Sequence, residues 1–231
     1  LVETSHPGNI GACARAMNSM GILNLLLVNP KEFPSKEAEA RAKSGKKVLE
    51  KAKVHKNLNE AIGTSNLIIG TSARPRSMPW PMMEVSNLGK TINESLANKD
   101  EVSIVFGNEA FGLDNEDLGK CDFHLQIPTS KDSSLNLSHA VQIVAYEIYK
   151  ESFSSDSIGQ QREVDLATSM QKEKLIEHIE TVLELLDFYD HKNPKQVPAR
   201  LRRLTKRMQL DNLEIGILRG ILSKLEDRLN K

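Results

Sequence analysis

Three short stretches of this 231-residue chain gather residue types suited to holding a polar or anionic ligand. The first is Ser5-His6-Pro7-Gly8-Asn9-Ile10-Gly11-Ala12-Cys13-Ala14-Arg15. Gly8 and Gly11 permit a tight turn, and Asn9 can cap free backbone N–H groups. Arg15, about one helical turn past Gly11, can reach a phosphate or carboxylate. A capped helix with a surface arginine describes the same residues equally well. The second stretch, Val105-Phe106-Gly107-Asn108-Glu109-Ala110-Phe111-Gly112-Leu113, sets one carboxylate between glycines that let backbone approach a ligand. The third runs from Ile127 to Ser138, where Ser134 and Asn136 stand beside the free N–H groups of a coming helix. An ordinary N-cap also accounts for Ser134 and Asn136.

The surrounding pattern says what must position these residues. Residues 1 to about 151 alternate short apolar runs with helical stretches. Strands are predicted at Leu1-Val2-Glu3, Asn24–Val28, Ala52-Lys53-Val54, Leu67–Ile69, Val102–Phe106 and Phe123–Gln126. Helices are predicted near Gly11–Met20, Ser35–Glu50, Asn57–Ile62, Met82–Ala97, Asn115–Lys120 and Leu137–Glu151. Strands that are apolar without alternation imply a mostly parallel α/β sheet with helices on both faces. Each of the three stretches follows a strand and leads into a helix, which is where open α/β sheets bind ligands. Leu1-Val2-Glu3 reads as the end of a strand already under way, so a few residues are expected before it.

Three segments organise the chain: an α/β domain over 1–151, a small polar linker over 152–161, and a helical domain over 162–231. In the last, a long amphipathic helix is predicted over Arg162–Asp190, a second over about Pro198–Leu210, and a third from Asp211, whose Glu214 completes a capping box. Lysine and arginine total 31 and aspartate and glutamate 31, yet this neutrality is uneven. Lys192 through Arg207 contains seven basic residues and no acid, next to an acidic stretch over Glu173–Asp190. Such a strip is either a solvated helix face or a surface for phosphates.

Several chemistries find no support. Gly89-Lys90-Thr91 resembles the end of a nucleotide-binding P-loop, but Glu84 occupies the position where the first glycine belongs. The dinucleotide fingerprint, paired metal-ligand histidines and a serine-hydrolase elbow are missing from the sequence, so no metal site is expected. A composition of 39% hydrophobic and 27% charged residues is that of an ordinary globular protein. No apolar run nears membrane-spanning length, and two cysteines are too few for a disulfide framework. A cytoplasmic location without membrane attachment is expected.

Taken in order, N-x-G-x-x-x-R, G-x-E-x-x-G-L and S-S-L-N-L-S resemble the three motifs of the SpoU/TrmH branch of the SPOUT methyltransferases. VETSHPGNIGACARAM, Thr71-Ser72-Ala73-Arg74 with Pro79-Trp80-Pro81, and SSLNLSHAVQIVAYE are most similar to the bacterial TrmJ type, which methylates the ribose of cytidine or uridine 32 in tRNA. The resemblance implies a deep trefoil knot, S-adenosylmethionine as methyl donor with S-adenosylhomocysteine as product, and a homodimer whose site borrows residues across its interface. It implies that Thr71, Ser72, Ala73, Gly107, Ile127, Ser133, Ser134 and Leu135 line the cofactor. Arg15, Asn9, Glu109, Ser134 and Asn136 match its catalytic positions. The family assigns Arg15 the proton of the 2′-OH; a guanidinium has no acceptor, so stabilising the alkoxide and clamping a phosphate suits it better. A tRNA partner would be gripped by Arg74, Lys195, Arg200, Arg202, Arg203, Lys206 and Arg207. Aromatic residues make up only 4% of the chain, which leaves Trp80 as the expected exposed stacking residue, with core packing as its alternative role. An rRNA ribose methyltransferase, a non-catalytic RNA-binding protein and a nucleotide-dependent oxidoreductase are the competing functions.

Overall fold

The computed structural model describes residues 1–72, 80–130, 133–152, 164–189 and 196–230. In chain order they form α1 (Pro7–Ser19), β1 (Leu26–Val28), α2 (Lys36–Ala42), a 3-10 turn (Lys43–Gly45), α3 (Lys46–Glu50), β2 (Lys53–His55) and α4 (Leu58–Ile62). There follow β3 (Leu67–Thr71), β4 (Met82–Glu84), α5 (Val85–Ala97), β5 (Val102–Val105), α6 (Asn115–Gly119), β6 (Phe123–Gln126) and α7 (Leu137–Glu151). The tail consists of α8 (Ser169–Leu185), α9 (Val197–Arg207) and α10 (Asn212–Leu229).

The described strands pair in parallel, in the orders β4-β6-β3-β5 and β1-β2. The Leu1–Glu3 segment ties the two sheets together: Val2 N–H donates to the Phe106 carbonyl and Glu3 N–H to the Val28 carbonyl, each at 2.8 Å. The first expected strand is thereby reduced to a single bridge between Val2 and Val28. Glu3, at φ 49°, turns the chain away. The central strand β3 shows why its run lacks alternation. Ile68 and Ile69 are both fully buried, but in separate apolar clusters, one on each face. A parallel α/β architecture is therefore as expected. No described helix is long and apolar enough to cross a membrane.

Four expected boundaries shift. Helix α1 begins at Pro7, capped by the His6 side chain, which accepts from Gly8 N–H at 3.2 Å. Gly11 thus makes no turn; a Cβ there would lie 2.1 Å from the Ala38 carbonyl oxygen, so its absence lets α1 lie directly on α2. The segment predicted as one helix over 35–50 breaks at Lys43, whose φ is 50°. Met82–Glu84 is strand rather than helix: Met83 is buried while Met82 and Glu84 are exposed, the alternation of an edge strand. In the tail, α8 starts at Ser169 behind a capping box of Thr168 and Gln171. Leu166 instead bridges to Asp211, the residue that caps α10 in the expected box with Glu214. Apart from Ser152, the predicted linker lies outside the described residues.

The tail docks on the residues that enter β3 and β6. Ser169 N–H donates to the Ser65 carbonyl at 2.8 Å, and Asn66 Nδ2 donates to the Leu166 carbonyl at 2.7 Å. Lys172 Nζ donates to the Asn66 carbonyl at 3.0 Å and to Asp122 Oδ1 at 3.1 Å, while Asp122 Oδ2 accepts from Ile68 N–H at 2.8 Å. Both side chains of this ion pair are almost fully buried. The tail therefore occupies the edge of the sheet where the strands begin.

Candidate active site

At the opposite edge, where the parallel strands end, three loops converge on one carboxylate. Asn9 Nδ2, in the first turn of α1, donates to Glu109 Oε1 at 2.8 Å. Ser5 donates to Glu109 Oε2 twice, from its N–H at 3.0 Å and its hydroxyl at 2.7 Å. Asn136 Nδ2 donates to Asn9 Oδ1 at 3.4 Å, so residues 127 positions apart in sequence close the network. Asn136 also accepts from Ser138 N–H at 2.9 Å and caps α7, so the cap and the site role coincide in one side chain.

Burial alone would raise the Glu109 carboxyl above its ordinary 4.5; the bonds from Asn9 and Ser5 outweigh it and hold the group at about 2. A carboxylate this weakly basic, with both oxygens engaged, anchors its neighbours and does not collect protons at neutral pH. Because its folded value lies below its unfolded one, its stabilisation is present above pH 4.5 and lost as pH falls toward 2. Glu109→Gln keeps the shape without the charge. Its melting temperature should fall less between pH 4.5 and 2 than that of the unaltered protein; parallel melting curves would refute the anchoring role.

Arg15 projects from the same helix, exposed, and its guanidinium makes no hydrogen bond or ion pair among the described residues. Its backbone is clamped from below, since a Cβ on Gly45 would stand 2.7 Å from Arg15 N. Among the described residues its charge is thus unpaired, on a helix that cannot shift easily.

Of the predicted cofactor residues, Thr71, Ser72, Gly107 and Ile127 fall at or just past the ends of three neighbouring strands. Register places Gly70 beside Val105 and Thr71 beside Leu125, so Thr71 and Ser72, Gly107, and Ile127 share one edge. Ile127 and Leu135 are half-buried apolar walls, and Ser134 is exposed with a hydroxyl free of protein partners among the described residues. Ser133 is used internally: its hydroxyl donates to the Ser130 carbonyl at 2.8 Å. Gly107 also serves the loop itself. A Cβ there would meet the Gly112 carbonyl carbon at 2.0 Å, so glycine is what lets the loop cross itself. Ala73 and Arg74 lie outside the described residues. An apolar cavity of about 870 Å³ between β1 and β5, around Leu1, contains none of these residues.

The basic strip of the tail is only partly a surface. Lys206 is buried, with Nζ 3.4 Å from Glu173 Oε1, and Arg202 pairs with the same carboxylate. These two do not face solvent as an RNA grip requires. They sit four residues apart on one face of α9, and the acidic α8 neutralises that face. Arg203 is half-buried, whereas Arg200 and Arg207 are exposed. Lys195 lies outside the described residues. Trp80 is also engaged: Nε1 donates to the Cys121 carbonyl at 3.0 Å, and its ring stacks on His124 with centroids 5.3 Å apart. The sequence reading missed Ser5 as the second anchor of Glu109; no spacing rule signals it, because its partner lies 104 residues away.

Known proteins resemble this chain in sequence and fold. The pattern of the SpoU rRNA Methylase family matches residues 1–146, and that of the tRNA methyltransferase TrmJ C-terminal domain matches residues 170–231. The tRNA (cytidine/uridine/adenosine-2′-O-)-methyltransferase TrmJ of Pseudomonas aeruginosa is 40% identical over 98% of this chain and 92% of its own length. The tRNA (cytidine/uridine-2′-O-)-methyltransferase TrmJ of Sodalis glossinidius is 42% identical over 98% of this chain and 89% of its own. The crystal structure of TrmJ from Z. mobilis superposes with a TM-score of 0.85 at 32% identity, covering 97% of this chain and 96% of that one. With its motifs gathered at one sheet edge and matches spanning both body and tail, the chain belongs to the SpoU methylase family, of the TrmJ type.

Proposed function

We propose that this protein transfers a methyl group from S-adenosylmethionine to the ribose 2′-OH of nucleotide 32, cytidine or uridine, in the anticodon loop of tRNA. The observation that carries this reading is the Ser5–Asn9–Glu109–Asn136 network at the ends of adjacent parallel strands, with Arg15, unpaired among the described residues, on the helix that also carries Asn9. The relatives' activity on tRNA ribose supports the substrate class.

The cofactor fits the strand-end residues, with Ile127 and Leu135 as apolar walls for an adenine and the Ser134 hydroxyl as a polar contact. When bound, it supplies an electrophilic methyl on a sulfonium. The protein's part is then to orient the 2′-OH and to stabilise charge as that oxygen attacks. Arg15 does so with a guanidinium directed at the developing alkoxide and the adjacent phosphate. Glu109, held ionised, fixes Asn9 and through it Asn136, so the site is set before substrate arrives.

Strand order supports the knot: β6, late in the sequence, is inserted between the earlier β4 and β3. The α/β part over 1–151 performs the transfer, and the helical part over 162–231 contributes tRNA contacts. Within one chain the tail and the site lie at opposite sheet edges, separated by the length of β3, roughly 15 Å at the usual rise per strand residue. A homodimer resolves this by letting the tail of one subunit serve RNA bound at the other's site.

Nucleoside mass spectrometry of tRNA and rRNA incubated with the protein and S-adenosylmethionine tests the reading. Position 32 of tRNA should gain 2′-O-methylcytidine or 2′-O-methyluridine; unmodified tRNA, or modification of rRNA instead, would refute it. Arg200→Ala with Arg207→Ala should raise KM for tRNA. The slope of log affinity against log salt should shrink by about 1–2, because two phosphate contacts are lost. An unchanged slope would remove the tail from the RNA interface.

A further inference from the structure

The loop that carries Glu109 also carries Phe111, which is 76% exposed, more than any other large apolar side chain among the described residues. A single exposed apolar residue is common on protein surfaces and by itself needs no function. This one differs because its backbone is held. Asn108 Oδ1 accepts from Ala110 N–H at 3.1 Å and from Phe111 N–H at 2.7 Å. Gly112 N–H donates to the Asn108 carbonyl at 3.0 Å, and Gly112, at φ 71°, returns the chain against Gly107. The loop is thus closed on itself around Asn108, with the phenyl ring directed outward. Two residues earlier, the same loop is tied through Glu109 to Asn9 and Ser5. An aromatic ring is therefore presented on a rigid mount at the rim of the candidate active site.

Unpaired nucleotides are recognised by stacking on such rings, a contact open to every base because each has a π-face. The expected stacking residue, Trp80, is occupied by His124 and Cys121. We propose that Phe111 is the stacking platform for an unpaired base of the RNA substrate, beside the ribose that receives the methyl group. This rests on the reading of the site as an RNA ribose methyltransferase. It assigns Phe111 to positioning, since the ring takes no part in the transfer itself.

The test compares Phe111→Ala, Phe111→Leu and Phe111→Tyr in the full chain. It reads tRNA affinity across a salt series, the steady-state constants, S-adenosylmethionine affinity and sedimentation. Phe111→Ala should weaken tRNA binding about 5- to 50-fold, as the loss of one base–aromatic stack does. KM should rise by more than kcat falls. The salt slope should stay that of the unaltered protein, because stacking releases no counterions. Phe111→Tyr should restore affinity and Phe111→Leu should not. Unchanged cofactor affinity in all three confirms that the fold is intact. Normal tRNA affinity in Phe111→Ala, equal rescue by leucine, or a changed oligomeric state would each overturn the proposal. If the unaltered protein binds tRNA without methylating it, the functional reading fails while the affinity comparison still decides Phe111. If it does not bind RNA at all, both fall.

Discussion

Arg15→Ala is expected to lower the rate of methyl transfer by about 10²–10³-fold, the usual loss when a group aimed at developing charge is removed. Affinity for S-adenosylmethionine should be nearly unchanged. Several features separate this arginine from the other exposed cations. It shares a helix with Asn9, and that helix is pressed onto α2 at Gly11 and onto the following turn at Gly45. Its guanidinium is not spent on a carboxylate among the described residues; Glu109, the acid of the site, is already satisfied by Asn9 and Ser5. Arg15→Lys should recover only a small part of the rate. An ammonium keeps the charge but not the planar fork that can hold a phosphate oxygen and the reacting oxygen together. Single-turnover rates with saturating cofactor, alongside calorimetric cofactor binding, make the test. Turnover near that of the unaltered protein in Arg15→Ala would take Arg15 out of the mechanism.

Lys172→Met should destabilise the protein by about 3–5 kcal/mol, because it leaves Asp122 charged and uncompensated in the interior. The pair is 2% and 1% exposed and joins the tail to the strand entrances. Burial pushes Lys172 below its ordinary value, with Asp122 opposing that shift. Adding Asp122→Asn to Lys172→Met should recover most of the loss, since the unpaired charge is then gone and an amide oxygen can still accept from Ile68 N–H. Denaturant unfolding of the single and double variants measures the effect. A double variant no more stable than Lys172→Met would show that packing, and not charge, dominates. Because this pair stands at the far edge from Arg15, the residual folded protein should bind S-adenosylmethionine normally.

Much of this was legible before any coordinates. Local rules placed α7 over Leu137–Glu151 and the capping box at Asp211 and Glu214, because caps and apolar periodicity act within a few residues. The first turn of α1 was not legible: the capping residue is a histidine, outside the usual N-cap set. β4 was hidden for another reason. Three residues of alternation before a helix are too short a signal, and only the free edge of β6 makes Met82–Glu84 a strand.

The glycines of the motifs show the same division. Their presence in Gly8-Asn9-Ile10-Gly11 and Gly107-Asn108-Glu109 marked both loops as special, and both lie at the site. The packing reasons were not legible: Gly11 admits the Ala38 carbonyl, far away in sequence, and Gly107 admits the returning Gly112.

By itself, then, the sequence determined which residue types gather at the strand ends, that the second and third stretches follow strands, and that the chain has a parallel α/β part and a helical tail. Strand propensity, helix caps and motif spacing are local properties, and those conclusions needed nothing more. Only the tertiary structure decided which side chains meet. It joined Asn136 to Asn9 across 127 positions, satisfied Glu109 with Ser5, and left the Arg15 guanidinium unpaired among the described residues and the Phe111 ring exposed. It also turned Arg202 and Lys206 inward onto Glu173, so that two of the seven positive charges counted along the strip are withdrawn from an RNA. Charge is countable along a chain, but its exposure is set by packing between elements, and that is where the sequence reading had to stop.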